Sequence, residues 1–178
     1  MLGKYDRFPT TILHGSASLT HKNPITQLQL LLIRSLRALN GHTNEYSVSV
    51  ADHPGTFAGE ISFEVGIAEG IYFNYLDDEE AMRLNDWVSS RGGFSSLDTI
   101  LIVRYHYTQG KKRIPLRADR YLLRFILHTN RIELRLFHEG GIMRMPPEEA
   151  LAYVVDHINH NIELAGLKKL QWERTRTL

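Results

Sequence analysis

The chain reads as an α+β protein, an antiparallel sheet with three main helices packed on it. Three observations lead there. From Arg120 to His138 apolar and polar residues alternate through a turn at 128–131, the period of strands with one face on a core. After Pro146-Pro147 the period becomes helical, with Leu151, Val154, Val155, Ile158 and Ile162 recurring every three or four residues. Strand-like runs also come in groups ahead of the second and third helices, which favours antiparallel pairing over a doubly wound parallel sheet.

Each element can be justified in turn. Residues 9–22 have strand character around a Gly-Ser interruption. Asn23 is placed to cap a helix over 24–40 whose first residue is Pro24, the position proline tolerates best. Ile25, Leu28, Leu32, Leu36 and Leu39 form its stripe, widened by Leu31 and Ile33, so the helix should lie largely buried across the sheet. Asn40-Gly41 ends it. Strands are expected over 45–51, 59–66 and 70–76, with Asp52-His53-Pro54-Gly55 as the first turn. Asp77-Asp78-Glu79-Glu80 opens a second helix over 78–90, its acids at the positive end of the dipole and Ala81, Leu84, Trp87 and Val88 on its buried side.

The second half repeats this order. Strands are expected near 99–107, 120–128, 131–138 and 142–145, followed by a helix over 147–165. The expected organisation is one domain over 1–178, with two sub-halves, 1–90 and 97–178, joined by the Ser/Gly-rich stretch 89–96. Glu79-Glu80-Ala81 and Glu148-Glu149-Ala150 echo each other, but such residues open helices well in any protein.

Composition narrows the class. Hydrophobic residues make up 43% of the chain and charged ones 23%, enough to bury a core and too apolar for disorder. Cysteine is absent, which removes disulfides, thiol nucleophiles and thiolate metal sites. Met1-Leu2-Gly3-Lys4 leads into no apolar signal core, and the most apolar run, Leu28 to Ile33, is short and followed by Arg34 and Arg37, so it is no membrane span. A cytoplasmic protein without a membrane partner is expected.

The net charge of +1 conceals segregation. Residues 45–98 hold eleven acids against Arg83 and Arg91, a net of −9; residues 99–144 hold ten bases against Asp119, Glu133 and Glu139, a net of +7. An anionic partner for the basic half, acid-to-base contacts between protomers, or neutralisation inside one fold would each account for this.

The 120–138 hairpin can be registered from pattern alone. Burying one face requires Leu127 opposite Ile132, Phe125 opposite Leu134 and Leu123 opposite Leu136; a one-residue slip would set Leu127 against Glu133. Together with Val154, Val155 and Ile158 these residues should form the core. The same register sets Arg124 opposite Arg135, an unfavourable pairing that calls for an acid from elsewhere or a bound anion. Arg104, His106, Arg120, Arg124, His128, Arg131 and Arg135 share that second face with Ile100, Ile102, Leu122, Ile126 and Phe137. Its apolar part should be covered by a helix, a partner or a second protomer.

Catalytic signatures are weak. His157 and His160 lie three apart on one helix near Asp156 and Glu163, but HExxH spacing and a clear third ligand are lacking, so no metal is expected. His14-Gly15-Ser16 and Asp52-His53 offer pieces of a triad without a G-x-S-x-G elbow. Glu60, Glu64 and Glu69 fit the wet face of a strand, and no glycine loop matches a phosphate-binding pattern. No catalytic residue and no cofactor is assigned.

The leading expectation is a non-enzymatic protein that docks an anionic partner, nucleic acid above all. Arg124 and Arg135 would centre the site, flanked by Arg104, Arg120 and Arg131, with Lys111, Lys112 and Arg113 as outer contacts. Tyr105, Tyr107 and Tyr121 fall on the apolar face and are expected in the core rather than under bases. The alternative is an assembly module, a homodimer, with the arginines in structural salt bridges. A small-molecule enzyme with an unrecognised pocket comes third.

Overall fold

The computed structural model describes residues 1–173. In chain order the elements are β1 (Gly15–Thr20), α1 (Ile25–Leu39), β2 (Thr43–Glu45), β3 (Val48–Ser49), β4 (Thr56–Phe57), β5 (Gly59–Glu69), β6 (Tyr72–Tyr75), α2 (Asp78–Arg91), β7 (Ser96–Gln109), β8 (Lys112–Pro115), β9 (Asp119–Leu127), β10 (Arg131–Gly140), α3 (Pro147–Leu164) and β11 (Gln171–Trp172). All strands except the small β3–β4 pair belong to one sheet, in which β11, β1, β10, β9, β7, β5 and β2 lie side by side. β6 continues the margin along β5, and β8 folds back on β7. Every pairing in it is antiparallel, so the α+β class holds.

Register follows burial. β9 and β10 pair with Leu127 against Ile132, Phe125 against Leu134, Leu123 against Leu136 and Arg124 against Arg135, as the alternation requires. The inner face presents Ile61, Phe63, Val65, Leu101, Val103, Tyr105, Tyr121, Leu123, Phe125, Leu134 and Leu136 to the helices. α1 lies between α2 and α3 and contributes Leu28, Leu32, Leu36 and Leu39; α3 contributes Val154, Val155, Ile158 and Ile162. Tyr105, Tyr107 and Tyr121 are core residues.

Several boundaries differ from the pattern reading, each for a local reason. Residues 142–145 form a loop rather than a strand, because the amides of Met143, Arg144 and Met145 turn inward to the Asp119 carboxylate. The run expected over 45–51 splits into β2, which pairs with β5, and β3, which pairs with β4. Asn23 does not cap α1: Pro24 holds that position, and the Asn23 amide donates to the Lys168 carbonyl. Asp77, in contrast, caps α2 by accepting from the Glu80 amide at 2.8 Å.

The stretch 89–96 is tied down at both ends. α2 runs to Arg91, β7 begins at Ser96, and the Gln29 side chain bridges Phe94 by accepting from its amide and donating to its carbonyl. Burying Gln29 is thus compensated on both of its polar atoms.

Past Val65, β5 parts from β7, and the first residues of the chain fill the gap. Gly3 donates to the Ala68 carbonyl and accepts from the Asp98 amide, so it joins the two strands. Its φ is +79°, and a Cβ there would come within 2.9 Å of the Phe94 ring; only glycine suits both demands. From this wedge Tyr5 and Phe8 pass over the outer face of the sheet.

Phe125 is fully buried between sheet and helices. Replacing it by alanine is expected to cost about 3–5 kcal/mol, as for a large ring deleted from a packed core. Denaturant melts check this, and a loss below about 1 kcal/mol would contradict the packing.

Candidate interaction surface

The outer face of the sheet carries the arginines, and carboxylates come with them. Asp98 on β7 lies directly across from Arg124 on β9. It receives the Arg124 guanidinium through both oxygens, at 2.6 and 2.8 Å, and the Tyr5 amide at 2.8 Å. Asp98 is 0% exposed, so its charge is tolerable only because three donors saturate it. The Phe8 ring covers the guanidinium at 4.2 Å. Thus an acid of the chain itself offsets the Arg124–Arg135 juxtaposition.

The apolar part of this face is covered by the chain as well. Phe8 packs on Ile100 and Leu122, with Tyr5, Phe73, Ile102 and Phe137 around them. The N-terminal segment therefore takes the place expected of a helix, a partner or a second protomer.

The other candidate bases follow suit. Arg104 grips Glu64 with two bonds at 3.0 and 3.1 Å, Arg113 meets Glu60 at 2.7 Å, and Arg120 meets Glu139 at 2.9 Å. These pairs are half-exposed and each is worth well under about 1 kcal/mol. Their main effect is to cancel charge. Lys111 and Lys112 stand at the β7–β8 turn, exposed and without an ion pair among the described residues.

Arg131 and Arg135 differ. Both lean on one carboxylate, Glu133, at 2.7 and 3.5 Å, and His128 lies 3.4 Å from the same group. Next to them three open depressions adjoin along β1, sharing Thr20, Asn130, Arg131 and Glu173. The trough they form is lined by Arg135, Arg131, Lys22, Lys168 and Lys169 against Glu133 and Glu173. Pattern reading missed Lys22, Lys168 and Lys169, because this margin is completed by β11, a strand of two residues with no periodicity to read.

The opposite margin is acidic. Along β6 and α2 lie Glu69, Asp77, Asp78, Glu79, Glu80 and Asp86, opposed by Arg83, which bonds Glu69 and Glu80, and by Arg37, which bonds Asp78. Ile71, Tyr72, Tyr75 and Met82 are exposed among them.

Two further clusters have site-like composition. Asp119, buried, accepts from the Tyr105 hydroxyl at 2.6 Å, His138 Nε2 at 3.1 Å and the amides of Met143 and Arg144 at 2.7 Å each. Burial alone would raise its pKa; the hydrogen bonds from Tyr105, His138 and the loop amides outweigh that and hold it low. Five donors converge on this carboxylate when the Met145 amide is included, which suits an internal anchor rather than a proton carrier. The second cluster is a groove of about 600 Å³ between the end of α1 and α3, lined by His42, Asp156, His157 and His160. The His42 and His157 rings are 5.4 Å apart. Among the described residues no group of three or more His, Asp or Glu is placed to hold a metal ion, and no helix is long and apolar enough to cross a membrane.

Compared with known protein families, with curated proteins and with solved structures, the chain matches none.

Two predictions arise from these contacts. Arg124→Ala leaves Asp98 buried without its counter-charge and should cost about 3–5 kcal/mol of stability in urea melts. Arg104→Ala, at an exposed pair, should stay within about 1 kcal/mol. The second concerns His157, whose pKa burial lowers, with His42 and His160 adding to the effect. A histidine that protonates less readily folded than unfolded leaves stability intact above the ordinary pKa of about 6.5 and withdraws it as pH falls below that value. Melts from about pH 8 to about pH 5 should show this loss, and His157→Gln should make it shallower.

Proposed function

We propose that the protein is a non-enzymatic assembly module whose partner contacts lie at the two margins of its sheet. One observation carries the reading: most of the arginine face is already satisfied, Arg124, Arg104, Arg113 and Arg120 matched by Asp98, Glu64, Glu60 and Glu139 and its apolar patch covered by Tyr5 and Phe8. Apart from Lys111 and Lys112 at the β7–β8 turn, much of what is left exposed and unmatched lies at the margins, apolar residues and acids along β6 and α2, bases along β1 and β11. Open depressions and a saturated Asp119 give an enzyme reading little to work with.

A second reading has its own support. Two arginines and His128 share Glu133 beside the Lys22–Lys168 trough, a surplus of positive charge suited to a polyanion such as nucleic acid. This moves the anion site from Arg124 toward Arg131 and Arg135, and leaves Arg104, Arg113 and Arg120 as paired bystanders.

Fluorescence anisotropy with single- and double-stranded oligonucleotides at low salt, run beside sedimentation velocity, separates the two. The assembly reading expects self-association without oligonucleotide binding at tens of micromolar protein. Binding that weakens steeply with salt, and is lost in an Arg131→Ala, Arg135→Ala, Lys168→Ala variant, would put the nucleic-acid reading first.

A further inference from the structure

The two margins lie at opposite ends of one sheet. From β11 to β6 the path crosses β1, β10, β9, β7 and β5, six inter-strand steps and roughly 30 Å along the sheet at about 4.8 Å a step. Charges in salt solution hardly feel one another beyond about 8 Å, so the margins cannot neutralise each other within a chain.

Each margin pairs its charge with apolar anchors. On one side Ile71, Tyr72, Tyr75 and Met82 stand exposed beside Glu79 and Asp86, which have no ion pair among the described residues. On the other, Trp172 and Leu13 border the depression that holds Arg131 and Arg135, and Lys22 and Lys168 lie beyond it, likewise unpaired. The β6 margin also offers backbone. Leu76 donates to the Val65 carbonyl, so the alternation of an antiparallel ladder points Asn74 and Tyr72 at β5 and leaves the N–H and C=O of Phe73 facing outward.

We propose that copies of this chain associate head to tail, the β6–α2 margin of one seated on the β1–β11 margin of the next. This rests on the assembly reading and specifies its partner and geometry. A two-fold contact through either margin would set like charges face to face; a heterologous contact sets acids against bases and aromatic side chains against Trp172 and Leu13. Such an interface repeats itself, giving rings if the rotation closes and open chains if it does not. Its contact needs no two-fold axis, unlike that of the homodimer expected from the mixed sheet face and the opposite charge of the two halves.

Two charge-reversed variants test this, each first shown to be folded by circular dichroism. Glu79→Lys with Asp86→Lys spoils the acidic margin; Lys22→Glu with Lys168→Glu spoils the basic one. In sedimentation velocity and light scattering at low salt, the native chain should grow past two copies as concentration rises and return toward 20.5 kDa in high salt. Each variant alone should stay at the single-chain mass. An equimolar mixture should associate, since the intact basic margin of one variant meets the intact acidic margin of the other, a contact neither variant can make alone. A native chain that stops at two copies, or a mixture that stays monomeric, overturns the head-to-tail geometry while leaving assembly as such standing. A native chain that remains at 20.5 kDa throughout overturns both.

Discussion

A buried negative charge on β7 organises the outer half of this molecule. Asp98 has no access to water, so it needs donors that cannot drift away, and it finds them in two places far apart in sequence. Arg124 supplies two bonds from the neighbouring strand, which fixes β7 against β9 in one register. The Tyr5 amide supplies the third and thereby fastens the start of the chain across the sheet. Once Tyr5 is held, Phe8 lies where it shields both the guanidinium and Ile100 and Leu122. Strand pairing, closure of the outer face and neutralisation of Arg124 therefore share one ion pair.

Asp119 plays a comparable part on the inner side. Its carboxylate gathers the amides of the 143–145 loop together with Tyr105 and His138, and Tyr121 bonds the Met145 carbonyl beside it. This draws the chain out of β10 and aims it at Pro146 and the start of α3. Gly141, with a φ of +99°, packs so close to Asp119 that no side chain would fit, and Met143 accepts a φ of +58° to complete the turn. A positive φ at a non-glycine residue is unfavourable, and here three amide-to-carboxylate bonds hold it in place.

Periodicity made the sheet and helices legible. The β9–β10 register follows from Leu123, Phe125, Leu134 and Leu136, because a one-residue slip would set Leu127 against Glu133, and the stripe of α1 follows from its leucines in the same way. The charge asymmetry was visible as well. What pattern could not convey was distance in sequence. Arg124 has its answer in Asp98, 26 residues away, through a β7–β9 register that no hairpin turn fixes. The cover over Ile100 and Leu122 comes from Tyr5 and Phe8, whose surroundings have no strand periodicity. For the same reason the 142–145 segment, with apolar residues at strand-like positions, reads as a strand until the Asp119 carboxylate is seen to claim its amides. The basic trough depends on Lys22, Lys168 and Arg131 meeting at one margin, which a linear reading keeps apart.

The wedge at Gly3 has a consequence for the order in which the protein takes shape. Residues 2–8 leave the ribosome before the strands they will pack against. Gly3 needs Ala68 and Asp98, and Phe8 needs Leu122 from a strand made later still. Until β7 and β9 have been synthesised and paired, this segment finds only its partners at the end of β5, Ala68 and Gly70, and lacks Asp98, Ile100 and Leu122. A segment made before the strands it seals thus completes its contacts only after them, and the outer face over Ile100 and Leu122 stays open until β9 has paired.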